Sequence, residues 1–591
     1  MKIPLLIHAT HEAGVKVGGI GAVLDGLLGS PVYSEEVERS ILVGPMAGWD
    51  PIEMERLTSP RNGLTIHYSS LHGIFDGVTS DKRLALQKVE QTFQVGLLYG
   101  ERKFAGHSHE VVLVDATNPN MQQVNAFRFY LWQHFGIDSG RYQHDSEFNL
   151  YFSIAQPLFA ALKALNVDYG MAPNDKFILA HEWLGMPVVF AAQMSEPGQW
   201  RTIFYAHEMA TARRLVEENS GHDTRFYNAM FKAADWNLSL EAVFGNQDDL
   251  YKTPILRQAA VCDNIFSVGD LVTQELRFMS GGFYHANIDL VYNGVPSFDI
   301  SLEEKLISKA RMQQYGENLF GFRPDYVFTH VTRMVLSKGM WRDLRVLEHL
   351  APKLQAEGKS AVLFILSTSV PAGRKPEWVE AWEQQYGWPV GHRGDNGDLI
   401  GQETSFFFDG IEPFNQRFPN VKVVLINQFG WSRERCGQRM PADMEFMDIR
   451  KGSDLEFGQS IYEPFGIAQV EPLSFGAICC VSNVCGCVGF VERVTGDIKN
   501  VPNVVVADYV TLPWGYWLNS PYDALTVDGG TRGHIEGVNS AQAAQDIFDV
   551  LPRTEDEMET LLEKGQEIAR GMSWDVVVKD YLVPALNNAR K

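Results

Sequence analysis

A chain of 591 residues is too long for a single hydrophobic core, so two domains with insertions are expected. Its content of 45% hydrophobic and 12% aromatic residues is typical of a globular protein. The net charge of −22 argues against non-specific binding to nucleic acid and against adhesion to an anionic membrane. No apolar run is long enough to predict a membrane span.

The cysteines argue against an exported, disulfide-linked protein. Cys479 and Cys480 are adjacent in an apolar run that is typical of a buried strand, which favours a reducing, cytoplasmic location. Cys485 and Cys487 are too close together and too isolated for a zinc site, so no metal is expected there. The N-terminus, an apolar run cut by His8, is typical of a first strand rather than a signal peptide.

The chain opens with a predicted strand at residues 3–9, a glycine-rich turn and a helix at 22–28. This order opens α/β domains that hold an anion at the carboxyl edge of the sheet. The turn matches neither a Walker A loop nor a GxGxxG fingerprint. Lys16 could meet a phosphate, and Gly18 and Gly19 allow close approach of the backbone. The alternative is a tight turn with a solvated lysine.

Residues 31–110 are expected to be irregular apart from strands at 40–43 and 110–114, which is typical of insertions in a large enzyme. His107 and His109 are predicted to lie in loops. Residues 127–143 are aromatic and are expected to pack inside the protein, although an acceptor site could use the same rings.

Two predicted strands end in histidine. Residues 176–180 lead to His181, Glu182 and Trp183, and residues 201–206 lead to His207. Ligands of doubly wound sheets bind where strands end, so these positions are candidates for a site. Neither segment has the H-E-x-x-H spacing of a zinc protease. The alternative is that both histidines are structural hydrogen-bonding groups.

A second series of alternating strands and helices follows a domain boundary predicted at residue 322. It predicts strands at 326–330, 361–366, 421–426, 478–481 and 503–507, and closing helices at 555–570 and 574–588. Two parallel-sheet domains with a cleft between them are therefore expected. Arg333 and Lys338 follow the first of these strands, where a diphosphate would need positive charge. The alternative is that both are surface charges.

The segment 452–490 carries two carboxylates, Glu463 and Glu471. Pro464 suits the first turn of a helix, and a helix over 467–474 would separate the carboxylates by roughly 12 Å. That is more than the about 5–9.5 Å that flanks one scissile bond, so we interpret them as two anchors for an elongated ligand such as a sugar nucleotide. Backbone N–H groups at Gly466 and at 485–489 could meet the diphosphate. The alternative is a core helix with two exposed glutamates.

Seven short segments, in this order, resemble those of the glycogen and starch synthases, which are retaining glycosyltransferases of the GT-B fold. They are Lys16-Val-Gly-Gly-Ile, His181-Glu-Trp, Thr202-Ile-Phe-Tyr-Ala-His207, Arg333-x4-Lys338-Gly, Tyr462-Glu-Pro-Phe-Gly with Glu471, Ser482-Asn-Val-Cys-Gly486 and Met572-Ser-Trp-Asp575. Residues 31–175 carry no matching motif, and the regulatory arginine cluster of the animal enzymes is not apparent.

The resemblance implies an α/β fold of two Rossmann-like parallel-sheet domains facing a central cleft. Residues 1–322 would form the acceptor side, 323–571 would bind the nucleotide sugar, and a helix at 572–591 would cross back. The implied activity moves glucose from ADP- or UDP-glucose to the non-reducing end of an α-1,4-glucan. The alternatives are transfer to a small or lipid-linked sugar and a non-catalytic glucan-binding protein.

The resemblance also implies roles for individual residues. The catalytic candidates are His207, Glu463, Arg333 and Lys338. The donor-binding candidates are Lys16, Gly18, Gly19, Arg333, Lys338, Tyr462, Gly466, Glu471, Cys485 and Gly486. The acceptor-binding candidates are His181, Glu182 and Trp183. The expected partners are a nucleotide sugar and an α-glucan, with no nucleic acid, metal or other cofactor, and a homo-oligomer is compatible with the sequence.

Overall fold

The computed structural model describes residues 2–591. The protein has a mixed α/β structure and divides into two compact units. Unit 1 consists of Met1–Thr211, Leu238–Gly294 and Trp574–Lys591. Unit 2 consists of Ala212–Asn237 and Val295–Ser573. Each unit is built around one sheet, so the predicted pair of parallel-sheet domains is confirmed.

Unit 1 has a nine-stranded sheet in the order β3-β4-β5-β2-β1-β6-β7-β8-β9. Its pairs are parallel except β3–β4 and β4–β5, which are antiparallel. The strands are β1 Leu5–Ala9, β2 Ser40–Pro45, β3 Leu64–Ser69, β4 Gly96–Phe104, β5 His107–Asp115, β6 Lys176–His181, β7 Arg201–Ala206, β8 Asn264–Ser267 and β9 Ile288–Leu290.

Unit 2 has a six-stranded, all-parallel sheet in the order β12-β11-β10-β13-β14-β15. Most of its strand residues are buried, as expected where helices cover both faces. The strands are β10 Tyr326–Val331, β11 Ala361–Leu366, β12 Val421–Ile426, β13 Leu455–Gly458, β14 Ile478–Ser482 and β15 Val504–Ala507.

The helices connect the strands of both sheets. In chain order they are α1 Gly19–Leu28, α2 Pro31–Glu36, α3 Pro51–Thr58, α4 Ser80–Phe93, α5 Met121–Phe135, α6 Ser146–Ala164, α7 Glu182–Ser195, α8 Ala210–Glu217, α9 His222–Asp235, α10 Leu240–Phe244, α11 Lys252–Arg257, α12 Asp270–Met279, α13 Leu302–Phe320, α14 Trp341–Ala356, α15 Pro376–Tyr386, α16 Gln402–Ser405, α17 Glu412–Arg417, α18 Arg433–Cys436, α19 Phe446–Lys451, α20 Ile467–Val470, α21 Cys487–Thr495, α22 Pro521–Ala524, α23 Gly529–Val550, α24 Glu555–Gly571, α25 Trp574–Val577 and α26 Val583–Asn588. No helix within residues 2–591 has the length and apolarity to cross a membrane.

Each sheet starts in its interior and grows outward in both directions. In unit 2 the order of strands, renumbered from the first, is 3-2-1-4-5-6, the doubly wound arrangement. Its direction changes between β10 and β13, and the corresponding change in unit 1 lies between β1 and β6. Ligands of such sheets bind beyond the carboxyl ends of the strands at this switch point, so the loops after these four strands are the expected ligand-binding positions.

Residues 31–110 are far more regular than predicted. They contain β2, β3, β4, the start of β5 and three helices, so the expectation of an irregular insertion was wrong. His107 and His109 lie in β5, not in loops, and the buried His109 ring bonds the Leu28 carbonyl at 3.0 Å. The long antiparallel pairing of β4 with β5 places these polar residues in register with the charged residues of β4, which is why their sequence does not look like that of a buried strand.

The domain boundary also lies earlier than residue 322. Helix α13 belongs to unit 2, where Lys305 donates to the carbonyls of Ser453 and Phe475 at 2.8 and 2.7 Å. Helix α13 has a buried face that its polar sequence does not indicate: Lys305, Ser308 and Lys309 are all less than 6% exposed. At the other end, residues 574–591 pack with unit 1, within two residues of the predicted crossing at 572.

Candidate functional site

The glycine-rich turn of unit 1 already holds an anion from its own chain. The carboxylate of Glu12, which follows β1, accepts hydrogen bonds from the N–H groups of Val17 at 2.5 Å and Gly18 at 2.7 Å. Gly18 caps the N-terminus of α1, where a negative charge is favoured. A Cβ atom at Gly21 would lie 2.1 Å from this carboxylate, so a larger residue there would displace the Glu12 side chain. The predicted phosphate-binding turn therefore has an anion-binding geometry.

Two predicted donor residues sit beside this turn. Lys16 forms an ion pair with Asp25 at 2.7 Å, and both side chains are about half exposed. Gly19 is exposed, and a Cβ atom there would meet nothing within 4 Å. The backbone at Gly19 is thus open to a ligand, whereas the Gly18 N–H is engaged by Glu12. Contact of these residues with a phosphate stays a prediction.

A chain of hydrogen bonds joins three histidines at the carboxyl ends of β1, β6 and β7. His8 Nδ1 lies 3.0 Å from His181 Nε2, and His181 Nδ1 lies 2.9 Å from His207 Nε2. At its far end His8 Nε2 is 2.8 Å from the Tyr33 hydroxyl, which is 2.7 Å from Ser40 Oγ. We call these five residues the histidine chain.

Burial keeps the imidazoles of the histidine chain neutral. It lowers the pKa of His8 and His181 well below the ordinary value, and in both cases a neighbouring histidine lowers the pKa further. Burial, followed by the charge of His11, lowers the pKa of His207 to about 3. The Nδ1 atom of His207 has no hydrogen-bond partner among residues 2–591. One ring nitrogen of this predicted catalytic residue is therefore unpaired within the protein.

The three predicted acceptor residues are buried inside unit 1. His181 has both ring nitrogens engaged by other histidines. Trp183 packs edge-on against Tyr151 and Tyr251. Glu182 has a left-handed backbone (φ +64°) and accepts from the Glu208 N–H at 2.7 Å. None of the three is more than 3% exposed in this structure, and acceptor binding by them stays a prediction.

Burial favours the protonated form of the Glu182 carboxyl group. Burial, followed by the charge of Glu208, raises the pKa of Glu182 to about 8. Residues other than glycine rarely adopt the left-handed backbone conformation that Glu182 has. Strain of this kind often accompanies functional sites, so the position after β6 is unusual in both charge state and geometry.

A cavity of about 240 Å³ opens beside the glycine-rich turn of unit 1. It is lined by the loop after β1, the segment between β2 and α3, and the end of β5. Trp49, which is 70% exposed, and Met46 form part of its apolar wall. Asp115 and Thr117 lie at the end of β5. None of the described lining residues is a lysine or arginine. Sequence reasoning missed this site because residues 31–175 carry no recognisable motif.

The switch point of unit 2 brings together two predicted catalytic residues. Lys338 ends a 3₁₀ turn after β10, Glu463 follows β13, and their side chains form an ion pair. Ser460 and Gln469 also donate to the Glu463 carboxylate, each at 3.3 Å. The side chains of Lys338 and Glu463 are 18% and 14% exposed, so the pair is largely shielded yet reachable.

The other predicted cation, Arg333, is exposed in the same loop. This loop is fastened to the segment after β13, because the N–H groups of Ile461 and Tyr462 donate to the Ser337 carbonyl at 2.8 and 3.4 Å. Arg213, which was not singled out from the sequence, donates to Ser337 Oγ at 3.3 Å. Tyr462 itself is buried.

The predicted helix over 467–474 is broken. Gly466 precedes α20 with a left-handed backbone (φ +92°), and α20 ends at Val470. A 3₁₀ turn covers Glu471–Phe475 because Pro472 cannot donate the next helical hydrogen bond. Glu463 therefore lies outside the helix, and the axial spacing of roughly 12 Å from Glu471 does not apply.

Glu471 is held by a buried arginine. Arg450 lies 3.4 Å from the Glu471 carboxylate and 3.2 Å from that of Glu456, a buried residue of β13. Glu456 also accepts from the Val331 N–H at 3.0 Å and from Thr329. This cluster connects Glu471 to the ends of β10 and β13. The sequence did not indicate the cluster, because β13 was not predicted.

The cysteine-containing loop serves packing in this structure. The N–H groups of Cys485, Gly486 and Cys487 donate to protein carbonyls at 2.9–3.0 Å. A Cβ atom at Gly486 would lie 1.7 Å from the Pro464 oxygen, so glycine permits this close approach. Phosphate binding by these amides stays a prediction. All six cysteines are free and buried.

A buried charge cluster beneath the switch point was also missed. Arg342, with no exposed surface, pairs with Asp223 at 2.7 Å and Glu536 at 2.9 Å. It also donates to the carbonyls of Gln459 and Ser460, immediately after β13. Arg342 thus connects α14, α9 and α23 to the loop that presents Glu463. A single arginine in an amphipathic helix gives no sequence signal for such a role.

Comparison with known proteins supports the fold. No model of a known protein family matches the chain, and no curated protein does either. Among solved structures, the catalytic domain of starch synthase IV from Arabidopsis thaliana bound to ADP and acarbose matches with a TM-score of 0.54 and 14% identity, covering 100% of both chains. The E. coli trehalose-6-phosphate structure bound with UDP-2-fluoro glucose gives 0.49 and 10%, covering 98% of this chain and 99% of that one. Sucrose-phosphate synthase from Thermosynechococcus elongatus gives 0.48 and 12%, covering 98% and 97%.

At this level of identity the likeness shows the fold alone. The starch synthase match, whose TM-score is above 0.5, extends over the whole chain and assigns the GT-B fold. The resemblance to glycogen and starch synthases predicted from the sequence is therefore confirmed for the fold.

Proposed function

We propose that this protein is a retaining glycosyltransferase that moves glucose from ADP-glucose or UDP-glucose to the non-reducing end of an α-1,4-glucan. The observation that carries the proposal is the pairing of Lys338 with Glu463 at the switch point of unit 2. This is the position where a doubly wound sheet binds a nucleotide. The GT-B likeness to a starch synthase, whose structure holds ADP, supports it.

In this proposal unit 2 holds the donor. Lys338 and Arg333 neutralise the diphosphate and stabilise it as it leaves, the kind of preorganised charge that is usually the largest catalytic contribution. A lysine ammonium has three donors, so Lys338 can bind a phosphate oxygen while it remains bonded to Glu463. These cations would take the place of a divalent metal ion.

The two glutamates of unit 2 would bind opposite ends of the donor. Glu463, held by Ser460 and Gln469, accepts from sugar hydroxyls near the anomeric carbon. Glu471, held by Arg450, accepts from the ribose hydroxyls. Both carboxylates are fixed by neighbouring donors before a ligand arrives, which lowers the cost of ordering them on binding.

The acceptor would occupy the cavity of unit 1. Its exposed Trp49 and its polar Asp115 and Thr117 offer an apolar face with a few hydrogen-bonding groups, the usual composition of a small-molecule site. With no lysine or arginine among the described lining residues, it suits a neutral sugar better than a sugar phosphate. At about 240 Å³ it would take the terminal unit of a glucan rather than a long segment.

The reaction would proceed with retention at the anomeric carbon. The acceptor hydroxyl attacks from the face that the diphosphate leaves, and a leaving phosphate oxygen takes its proton. His207 orients the donor sugar through a hydrogen bond. The bond from the anomeric carbon to the diphosphate breaks as the new glycosidic bond forms, so a nucleoside diphosphate is released.

A screen of ADP-, UDP- and GDP-glucose, each with glycogen, with glucose 6-phosphate and with no acceptor, tests the proposal. We expect release of nucleoside diphosphate and elongation of glycogen, unaffected by EDTA. Transfer to glucose 6-phosphate alone would replace the glucan by a small acceptor. Nucleotide binding without turnover on any acceptor would instead identify a non-catalytic protein.

A further inference from the structure

The wall of the unit 1 cavity contains two carboxylates, Asp115 and Glu53, and no lysine or arginine among the described lining residues. Glu53 is neutralised by Arg56 at 2.6 Å. Asp115 forms no ion pair with any described residue, and its only hydrogen-bond partner through the side chain is Thr117. His11 also lines the cavity, and burial lowers its pKa, so it adds no positive charge near neutral pH. Asp115 is therefore the one lining carboxylate whose charge is not balanced.

The backbone around Asp115 holds its side chain in place. Asp115 ends β5, and its Oδ1 atom accepts from the Thr117 N–H at 2.9 Å and from the Thr117 hydroxyl. This is an Asx turn, in which an aspartate binds the backbone two residues further on. The other oxygen, Oδ2, lies against Gly48, where a Cβ atom would be 2.2 Å from it. The carboxylate is thus fixed between the end of β5 and the segment after β2.

The Oδ2 atom of Asp115 is available to a ligand. No described residue donates to it, and it is not one of the side-chain atoms that are both buried and unpaired. It therefore keeps accessible surface in a residue that lines the cavity. A carboxylate oxygen accepts hydrogen bonds and has no proton to donate. It can bind a sugar hydroxyl, whereas it repels a phosphate, and like charges placed together cost several kcal/mol in a binding site.

We infer that Asp115 is a specificity-determining residue, which selects a neutral sugar through a hydroxyl group and rejects sugar phosphates by like-charge repulsion. The apolar wall formed by Met46 and Trp49 strengthens both effects, because charges interact more strongly where water is excluded. The inference rests on the proposed placement of the acceptor in this cavity. It narrows the acceptor class to uncharged sugars.

Glucose and glucose 6-phosphate are matched probes, because they differ only in the phosphate. Their dissociation constants from the full-length protein can be measured by ligand-observed NMR without a nucleotide sugar, so the test needs no turnover. We expect glucose to bind at least about tenfold more tightly, and Trp49→Ala to weaken its binding, which assigns the binding to the cavity. Binding of glucose 6-phosphate that is as tight as that of glucose and equally weakened by Trp49→Ala would overturn the inference.

Asp115→Asn removes the charge and keeps an oxygen for Thr117, so the turn should be retained. The ratio of the two dissociation constants should move toward glucose 6-phosphate by about tenfold. Glu53→Gln is the control, because it changes the net charge equally at a carboxylate already paired with Arg56, and it should leave the ratio unchanged. Equal ratios in the two variants would contradict the role of Asp115. If Asp115→Asn does not fold, Asp115→Ser keeps a shorter acceptor for Thr117 and carries the same expectation.

Kinetics separate this inference from the proposed function. Asp115→Asn should raise the KM for glycogen about three- to tenfold, the scale of one hydrogen bond to a charged group that an amide partly replaces. Its kcat and its KM for the nucleotide sugar should stay close to those of the unsubstituted protein. A shifted binding ratio in a protein that transfers to no acceptor would support the selection by Asp115 and refute the proposed reaction. Transfer to glycogen with an unshifted ratio would refute the selection and leave the proposed reaction standing.

Discussion

Lys338 and Glu463 are 125 residues apart in the sequence and form an ion pair at the switch point of the unit 2 sheet. Each was proposed for a separate part of the donor, the lysine for the diphosphate and the glutamate for the sugar. Their contact means that the two halves of the proposed donor site are electrostatically coupled before any ligand binds. A substitution at either residue should therefore change the behaviour of the other.

The first prediction concerns this coupling. Lys338→Ala should lower kcat/KM for the nucleotide sugar by about 100- to 1,000-fold, because a preorganised charge is lost from the leaving group. Glu463→Ala should lower kcat/KM more strongly, to a residual rate that is still measurable at high enzyme concentration, and leave nucleotide binding largely intact. In the double variant the losses should be less than additive, because the partners are in contact. Steady-state kinetics with glycogen measure these effects.

A matched control for this prediction is Lys359→Ala, which removes a lysine from a more exposed ion pair with Asp325. Surface pairs of this kind contribute about 0–1 kcal/mol, so its kinetics should equal those of the unsubstituted protein. Strictly additive losses in the Lys338 and Glu463 cycle would show that the pair does not act as a unit.

The second prediction concerns the stability of unit 2. Arg342→Met removes a fully buried cation from between Asp223 and Glu536. Breaking such a pair leaves uncompensated buried carboxylates and costs about 3–5 kcal/mol. The thermal and urea midpoints of unfolding should both fall. Arg417→Ala, at a side chain that is 68% exposed, should change them little, and equal midpoints for the two variants would contradict the structural role of Arg342.

The third prediction is a loss of stability below neutral pH. The folded-state pKa values of His8, His181 and His207 lie below the ordinary value of 6.5, so unfolding takes up protons once the pH falls below about 6.5. Each histidine can then cost up to about 1.4 kcal/mol per pH unit, down to its folded-state pKa. Denaturant midpoints between pH 7.5 and 5 measure the slope.

His207→Gln should reduce the slope of this pH dependence, because one of the buried histidines no longer takes up a proton on unfolding. His349→Gln removes a histidine from an exposed position of α14 and serves as the control. A slope that is the same with and without His207 would mean that its ring is charged in the folded protein.

The fourth prediction is a loss of stability as the pH rises, opposite to the pH dependence expected for the histidines. Glu182 is protonated in the folded protein up to a pH of about 8, whereas the unfolded side chain ionises near pH 4.5. Its contribution to stability is therefore complete below pH 4.5 and is lost progressively as the pH rises to about 8. Glu182→Gln keeps an oxygen for the Glu208 N–H and should gain stability relative to the unsubstituted protein over this window.

Unfolding midpoints of Glu182→Gln at pH 5 and pH 8 test this sign. Glu563→Gln, at an exposed position of α24, should show no such gain. If Glu182→Gln lost stability relative to the unsubstituted protein as the pH rose, the carboxylate would have to be ionised and paired when folded.

The sequence predicted the parallel strands well because buried strands leave uninterrupted apolar runs. β7, β11 and β12 have the predicted bounds. β13 was not predicted because it is short and carries Glu456, a buried carboxylate that forms an ion pair with Arg450 and a hydrogen bond with Thr329. β4 was not predicted, and β5 was predicted only from residue 110, because residues 101–103 of β4 and 107–110 of β5 are charged or polar. In each case the group that satisfies a polar strand residue is not evident from the local sequence pattern.

The candidate site was predicted only in part for the same reason. Proximity of Lys338 to Glu463 follows from the order of strands, which periodicity alone does not give. The engagement of Gly18 by Glu12, and of Gly486 by the backbone after β13, depends on side-chain and loop geometry. The sequence identified residue types suited to the proposed chemistry. It could not say which of their polar atoms the protein itself occupies.

The last helical segment has a consequence for how the protein is made. Trp574 packs where Cβ atoms at Gly26 and Gly294 would collide with its ring, and Asp575 accepts from Ser30 at 2.5 Å. Asn264 of β8 donates to the Ala585 carbonyl at 3.0 Å. The ribosome therefore starts unit 1 first yet completes it last, after all of unit 2 has emerged. Until residues 574–591 have emerged, the surface of unit 1 that they cover stays exposed, and a prematurely terminated chain keeps it exposed.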